Sequence, residues 1–120
     1  MKKEVIIQLN KKFEDAACQK EGLEYWMARD IQKLLDYDEW RNFQKVIEKA
    51  KLACLNSGQN ISDHFVGVNK TIPMPKGASK EIDDFMLTRY ACYLIAQNGD
   101  PRKEQIAFAQ SYFAIQKIIS

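Results

Sequence analysis

The stretch ISDHFVGVNKTIPMPKGASK, residues 61–80, decides what kind of fold this chain can have. Phe65, Val66, Val68, Thr71 and Ile72 favour extended backbone, and Ile82, Phe85 and Leu87 resume that pattern beyond a break at Pro73, Pro75 and Gly77. The spacing predicts a two-stranded antiparallel hairpin with a long tip over residues 73–79, or a flexible flap in that place. The longer segments on either side carry helical periodicity. The expected class is therefore α+β, with about five helices packed around one core and a small antiparallel β-hairpin or sheet.

After the hairpin, residues 88–98 set Tyr90 or Ala91, Cys92, Leu94 and Ile95 on one helix face, and Asn98-Gly99 ends it. Asp100-Pro101 reads as an N-cap and first residue of a last helix, with Glu104 favourably near its N-terminus. Ile106, Phe108, Ala109, Phe113, Ile115 and Ile118 make that helix apolar over more than one stripe, suited to the centre of the core or to an interface. The apolar ending at Ile118-Ile119-Ser120 reads either as a truncated chain or as a helix that normally continues.

Before the hairpin, Trp40, Phe43, Val46, Ile47, Ala50, Ala53 and Cys54 form the buried stripe of a long helix over residues 39–57. Asp38 is its expected N-cap and Asn56-Ser57-Gly58 its stop. Ala28, Ile31, Leu34 and Leu35 predict a short helix, and Leu23–Trp26 a short strand. Val5, Leu9 and Phe13 mark a first helix that Gly22 is expected to stop. The apolar run Val5–Ile7 breaks at Gln8 and Asn10, too short for a signal segment or a membrane span, so a cytoplasmic protein without a membrane partner is expected. No repeat or linker divides the chain, which reads as one domain over residues 1–120.

Composition adds limits. Apolar residues are 46% and charged residues 28% of 120, as in ordinary globular proteins. Lys+Arg 18 against Asp+Glu 16 leaves a net +2, which excludes polybasic binding as a property of the whole chain. Cys18, Cys54 and Cys92 are odd in number and far apart, and only His64 is there to help them. That argues against a disulfide framework or a zinc site and for reduced, buried thiols; no cofactor or metal is expected.

Catalytic candidates are thin. Asp63-His64 is a sequence neighbour pair, better read as a structural histidine bonded to backbone than as a general base. Asp83 and Asp84 point to opposite sides of a strand, so only one of them can serve a given metal. No phosphate-cradling glycine loop or nucleophile elbow is present, and a non-enzymatic role is expected. The local cations are more informative. Lys70, Lys76 and Lys80 decorate the hairpin, with no acid between Val66 and Lys80. Arg41, Lys45 and Lys49 recur along one flank of the long helix, beside Glu48. Arg102 and Lys103 fall in the first turn of the last helix, where the dipole gives cations nothing. A solvated face of mixed charge is the favoured reading of the helix row, because Glu48 neighbours it; for the hairpin lysines, phosphate contact and plain solvation stand level.

The string LTRYACYLIAQNGDP (residues 87–101) resembles the signature block of the DNA-damage-inducible protein D family. So do WMARD (26–30), LLDY (34–37), ACLNSG (53–58), DHF (63–65) and AQSYFAIQ (109–116). The same pattern is similar, more distantly, to the N-terminal domain of the BRO family and of phage antirepressors. The resemblance implies an α+β domain associated with DNA, here the N-terminal part of a longer bacterial protein under DNA-damage control. It carries over no catalytic residue. Family members often have Gly after the Leu-Leu pair, where this chain has Asp36. Within the matched block, Arg89 either braces the hairpin against the helix, with Asp30, Asp83 or Asp84 as partner, or joins Arg102 in a phosphate-binding surface.

Two roles follow as expectations. One is DNA binding or modulation of DNA repair, on single- or double-stranded DNA, through Lys70, Lys76, Lys80, Arg41, Lys45, Lys49, Arg89, Arg102 and Lys103. The other is protein interaction, with a DNA-repair protein or a second copy of the chain, through the broad apolar last helix.

Overall fold

In the computed structural model, which describes residues 1–115, the chain runs α1 (Lys3–Ala16), β1 (Cys18–Lys20), β2 (Leu23–Met27), α2 (Ala28–Leu34), α3 (Trp40–Asn56), α4 (Ile61–His64), β3 (Phe65–Pro73), β4 (Ser79–Leu87), α5 (Arg89–Gln97) and α6 (Glu104–Ala114). The class is α+β, as the patterning predicts. Ile118 and the reading of the chain's end lie outside the described residues.

The strands form one antiparallel sheet in the order β1-β2-β4-β3. β3 and β4 pair along their whole length, from Phe65↔Leu87 to Pro73↔Ser79. β2 meets β4 only at Trp26↔Leu87 and Met27↔Met86, so most of the hairpin runs on past the rest of the sheet. Strand alternation then sorts the side chains. Trp26, Phe65 and Leu87 point inward and are buried; Leu23, Tyr25, Val66 and Met86 share the opposite, open face.

The helices close over the inner face, burying Phe13, Ile31, Phe43, Ile47, Ile95, Ile106 and Phe113 around Trp26. The Trp26 indole N–H donates to the Phe13 carbonyl at 3.1 Å, which satisfies the one polar group of a fully buried ring. Phe113 meets that ring edge-on, centroids 5.1 Å apart. The breadth of α6 is thereby explained: Ile106, Ala109 and Phe113 are buried, and Phe108 and Tyr112 pack beside Phe13. It is a core helix.

Three local expectations are corrected. Gly22 does not stop α1, which ends at Ala16; Glu21 (φ 53°) and Gly22 (φ 80°) make the tight turn between β1 and β2, and Cys18 sits on a strand. Asp38 does not cap α3, because the helix starts at Trp40 and Glu39 holds the cap position without a side-chain bond. Asp100 does not cap α6. Its carboxylate is spent on Arg102, accepting the backbone N–H at 2.9 Å and gripping the guanidinium at 2.8–3.0 Å, so the helix begins only at Glu104. The single helical turn α4 was not signalled by periodicity, four residues being too few to show any. Asp36, standing where the resembled family often has Gly, adopts φ 64°, the left-handed backbone that glycine favours and that aspartate tolerates better than most residues.

Gly99 fixes how closely α5 and α6 approach. A Cβ there would lie 2.9 Å from both Cδ1 and Cγ2 of buried Ile106. Gly99→Ala should lower stability by about 1–3 kcal/mol through overpacking. Urea unfolding should show a lower midpoint at unchanged m-value, and Ile106→Val in the same chain should recover part of the loss. A neutral Gly99→Ala would mean that the turn, not the helix contact, gives way.

Candidate nucleic-acid interface

The hairpin lysines are sorted by the ladder. Lys70 pairs with Ile82 and Lys80 with Ile72, so both lysines and both isoleucines stand on the face continuous with Val66 and Met86. The intervening positions, Asn69, Thr71, Glu81 and Asp83, point to the other side. The charge asymmetry of the sequence thus becomes a two-faced arm, cationic on one side and polar-acidic on the other. Lys76 lies at the tip in a left-handed conformation (φ 64°, ψ 31°). The tip is closed, not a loose flap: the Met74 N–H donates to the Ala78 carbonyl at 2.9 Å around one 3-10 turn, Pro75–Gly77.

On α3, Arg41, Lys45 and Lys49 are exposed on the side opposite the buried stripe Phe43, Ile47, Ala50 and Cys54. Glu48 turns to Lys51 at 3.4 Å and leaves the row. Gln44 shares a cleft of about 230 Å³ with Gly67, Asn69, Asp83 and Phe85, and Lys51 Nζ lies 4.5 Å from the centre of the Phe85 ring. The helix therefore meets the acidic side of the arm. Lys70 and Lys80 and the α3 row do not share one face of the sheet, although both stay exposed.

Three remaining cations fare differently. Arg102 precedes α6 and is paired with Asp100, whose carboxyl its hydrogen bonds hold down at about 2. That pairing supplies the local reason for a cation at this position. Lys103 occupies the cap position of α6, 5.5 Å from the Tyr37 ring, which packs on Phe43 of α3. Arg89 is internal. Its Nε and Nη2 donate to the two carboxylate oxygens of Glu24 at 3.0 and 3.2 Å, and Nη1 donates to the carbonyls of Tyr112 (3.0 Å) and Ile115 (3.2 Å). The guanidinium carbon stands 5.0 Å from the Trp26 ring and 5.1 Å from Tyr112. Burial opposes its charge, but the bonds to Glu24 and Tyr112 prevail and raise its pKa. Burial also pushes the Tyr112 phenol up to about 12, with Glu14 adding to the shift.

Arg89 is thus a brace, and its partner is Glu24 instead of Asp30, Asp83 or Asp84. Asp84 is committed elsewhere, accepting the Arg29 backbone N–H at 3.1 Å and so tying the start of α2 to β4. Arg29 donates from Nε to the Asp83 carbonyl at 2.7 Å and lies 4.1 Å over Trp40. Arg89 and Arg102 do not flank a common phosphate surface. His64 is bonded to a side chain, not to backbone: Nδ1 meets the Thr88 hydroxyl at 2.7 Å, and that hydroxyl caps α5 by accepting the Ala91 N–H. Cys54 and Cys92 are buried free thiols with pKa values raised by burial. Among the described residues, no group of three or more His, Cys, Asp or Glu is arranged to hold a metal, and no helix is long and apolar enough to cross a membrane.

Reading for charge alone misses two features of this surface. Met74 and Pro75 crown the cationic arm, though the sequence reads them as turn punctuation. Lys20, paired with Leu23, adds a cation to the open sheet face; only strand pairing reveals it.

Residues 17–114 match the family described as "BRO family, N-terminal domain". The chain is similar to DNA damage-inducible protein D of Escherichia coli (strain K12), 50% identical over 95 residues. That match covers 79% of this chain and 35% of the relative, so the chain spans about a third of the relative's length. No solved structure matches the chain.

Two substitutions separate structural from surface cations. Arg89→Met should cost about 2–4 kcal/mol, because it removes a two-pronged ion pair that is largely buried on both sides. Pairing it with Glu24→Gln should cost less than the sum of the two, which a double-mutant cycle reads directly. Lys76→Gly should instead raise stability by up to about 1 kcal/mol, since glycine carries no left-handed penalty. A loss of stability there would show that the Lys76 side chain holds the turn.

Proposed function

The chain belongs to the BRO family by its N-terminal domain, and on that premise we propose that it is a non-enzymatic DNA-binding domain of a DNA-damage-response protein acting in the cytoplasm. The name of its Escherichia coli relative supports the damage connection. The observation that carries the DNA reading is the two-faced arm: Lys70 and Lys80 on one side, Glu81 and Asp83 on the other, and Lys76 at the tip. A surface that is merely solvated gains nothing from such segregation, whereas a polyanion approaching the outer part of that side meets Lys70 and Lys80 and no exposed acid, Asp84 further in being buried. Lys20 extends the same face. The α3 row Arg41, Lys45 and Lys49 offers a separate cationic surface for a second contact along a long DNA, and Lys103, beside Tyr37, offers a further cation. In this reading Arg89 and Arg102 serve the fold and make no phosphate contact.

A second reading, interaction with a DNA-repair protein or another copy of the chain, moves from α6 to the open sheet face. There Leu23 is 71% and Val66 44% exposed, beside Tyr25 and Met86. Salt separates the two. Phosphate contacts weaken as counterions return, with a slope of about 0.9 per contact on B-form DNA, while an apolar interface responds little.

Fluorescence anisotropy of labelled single- and double-stranded DNA at low and physiological salt tests the proposal. Binding should be salt-sensitive, and Lys70→Ala/Lys76→Ala/Lys80→Ala should lower the salt slope by roughly 2–3. An unchanged affinity in the triple variant removes the arm from the interface, and no binding at low salt shifts the reading to the sheet face.

A further inference from the structure

The arm is built for more than electrostatic contact. From Asp84, the last buried residue of β4, to Ser79 are five strand steps, so the ribbon extends about 17 Å beyond its last anchored point. Over this length its side chains are exposed, except for Ile72 and Ile82, diagonal neighbours on the cationic face and half-buried. At the far end stands an apolar group that no part of the described chain covers: Met74, 40% exposed, between Pro73 and Pro75. The prolines fix their own φ, and the Met74–Ala78 backbone bond closes the loop beneath, so the tip is held rigid. Lys80 lies one ladder step below the last pair, Lys70 three steps, and Lys76 beside the apolar group itself. Lys76 also keeps a left-handed conformation in which glycine would be less strained, an outlier that points to use of its side chain.

A rigid methionine–proline tip ringed by cations, on a ribbon with one cationic side, matches the chemistry of one occupant. We propose that Met74 and Pro75 form a wedge that inserts between adjacent base pairs of duplex DNA and kinks it, while Lys70, Lys76 and Lys80 hold the flanking phosphates. Apolar side chains entering a base step from the minor groove unstack it and bend the duplex, and the bend brings more DNA onto the protein. The acidic side of the arm, with Glu81 and Asp83, then faces away from the duplex. This rests on the DNA-binding reading and adds to it a ligand class, duplex DNA with a deformable step, and a mechanical outcome.

The test uses the chain with a duplex of about 25 base pairs carrying a central TA step, which unstacks readily. End-placed dyes report bending by energy transfer, and 2-aminopurine at the step reports unstacking. The wild-type chain should kink the duplex by roughly 20–90° and raise the 2-aminopurine signal. Met74→Ser, at an exposed position that leaves both prolines in place, should lose most of the kink yet keep salt-dependent binding. Met74→Leu should retain it, being apolar and of similar size. Binding to the duplex without a kink overturns the wedge and leaves the DNA reading standing. So does binding to single strands only, a full kink with Met74→Ser, or a loss with Met74→Leu equal to that with Met74→Ser. Absence of binding to either DNA form overturns both.

Discussion

Three elements of this fold, β2, α5 and the end of α6, meet at the guanidinium of Arg89. It belongs to the first turn of α5, pairs in a two-pronged way with Glu24 on β2, and takes up two carbonyls at the C-terminal end of α6. Helix ends leave carbonyls without partners, and a cation placed there satisfies them and the helix dipole together. The aromatic wall of Trp26, Tyr112 and Phe113 completes the site, so hydrogen bonds and ring faces compensate most of the charge. An ion pair so enclosed contributes less to net stability than to arrangement. It sets where the sheet, α5 and α6 meet, and therefore the plane from which the arm projects.

The arm depends on that plane in a simple way. Because β2 pairs with β4 over two positions only, the inner end of the hairpin is part of the core sheet and the outer end is free. Phe65 and Leu87 are anchored among the helices, and strand alternation carries their orientation outward residue by residue. Lys70 and Lys80 thus inherit their side from two buried residues far down the ladder. A slip of one residue would bury the wrong set and turn the lysines to the acidic side. Core packing and charge display are one constraint.

Much of the fold was legible in the chain itself. The period of Trp40, Phe43, Ile47, Ala50 and Cys54 marked α3, and the β-formers on either side of Pro73–Ser79 marked the hairpin. The stop at Ser57-Gly58 also stands, with Gly58 at φ 86° past the end of α3. What failed were local polar signals with more than one use. Asp100 before Pro101 has the look of a cap, but its carboxylate found Arg102 two residues on. Gly22 has the look of a helix stop, but it turns a hairpin whose first strand, Cys18–Lys20, is too short to show alternation. The partner of Arg89 lay 65 residues away, beyond the reach of any spacing rule.

By itself, then, the sequence determined the class, the main elements, the exposed lysines and the family, because periodicity, turn chemistry and motif strings are properties of neighbouring residues. Only the tertiary structure decided which cations share a face. It took Arg89 inside, tied Arg102 to a turn, and put Lys70 and Lys80 on the side of the sheet away from α3. The reason is physical: a charge is specified where it stands in the chain, but its field depends on the face it occupies. Faces are set by register and long-range pairing.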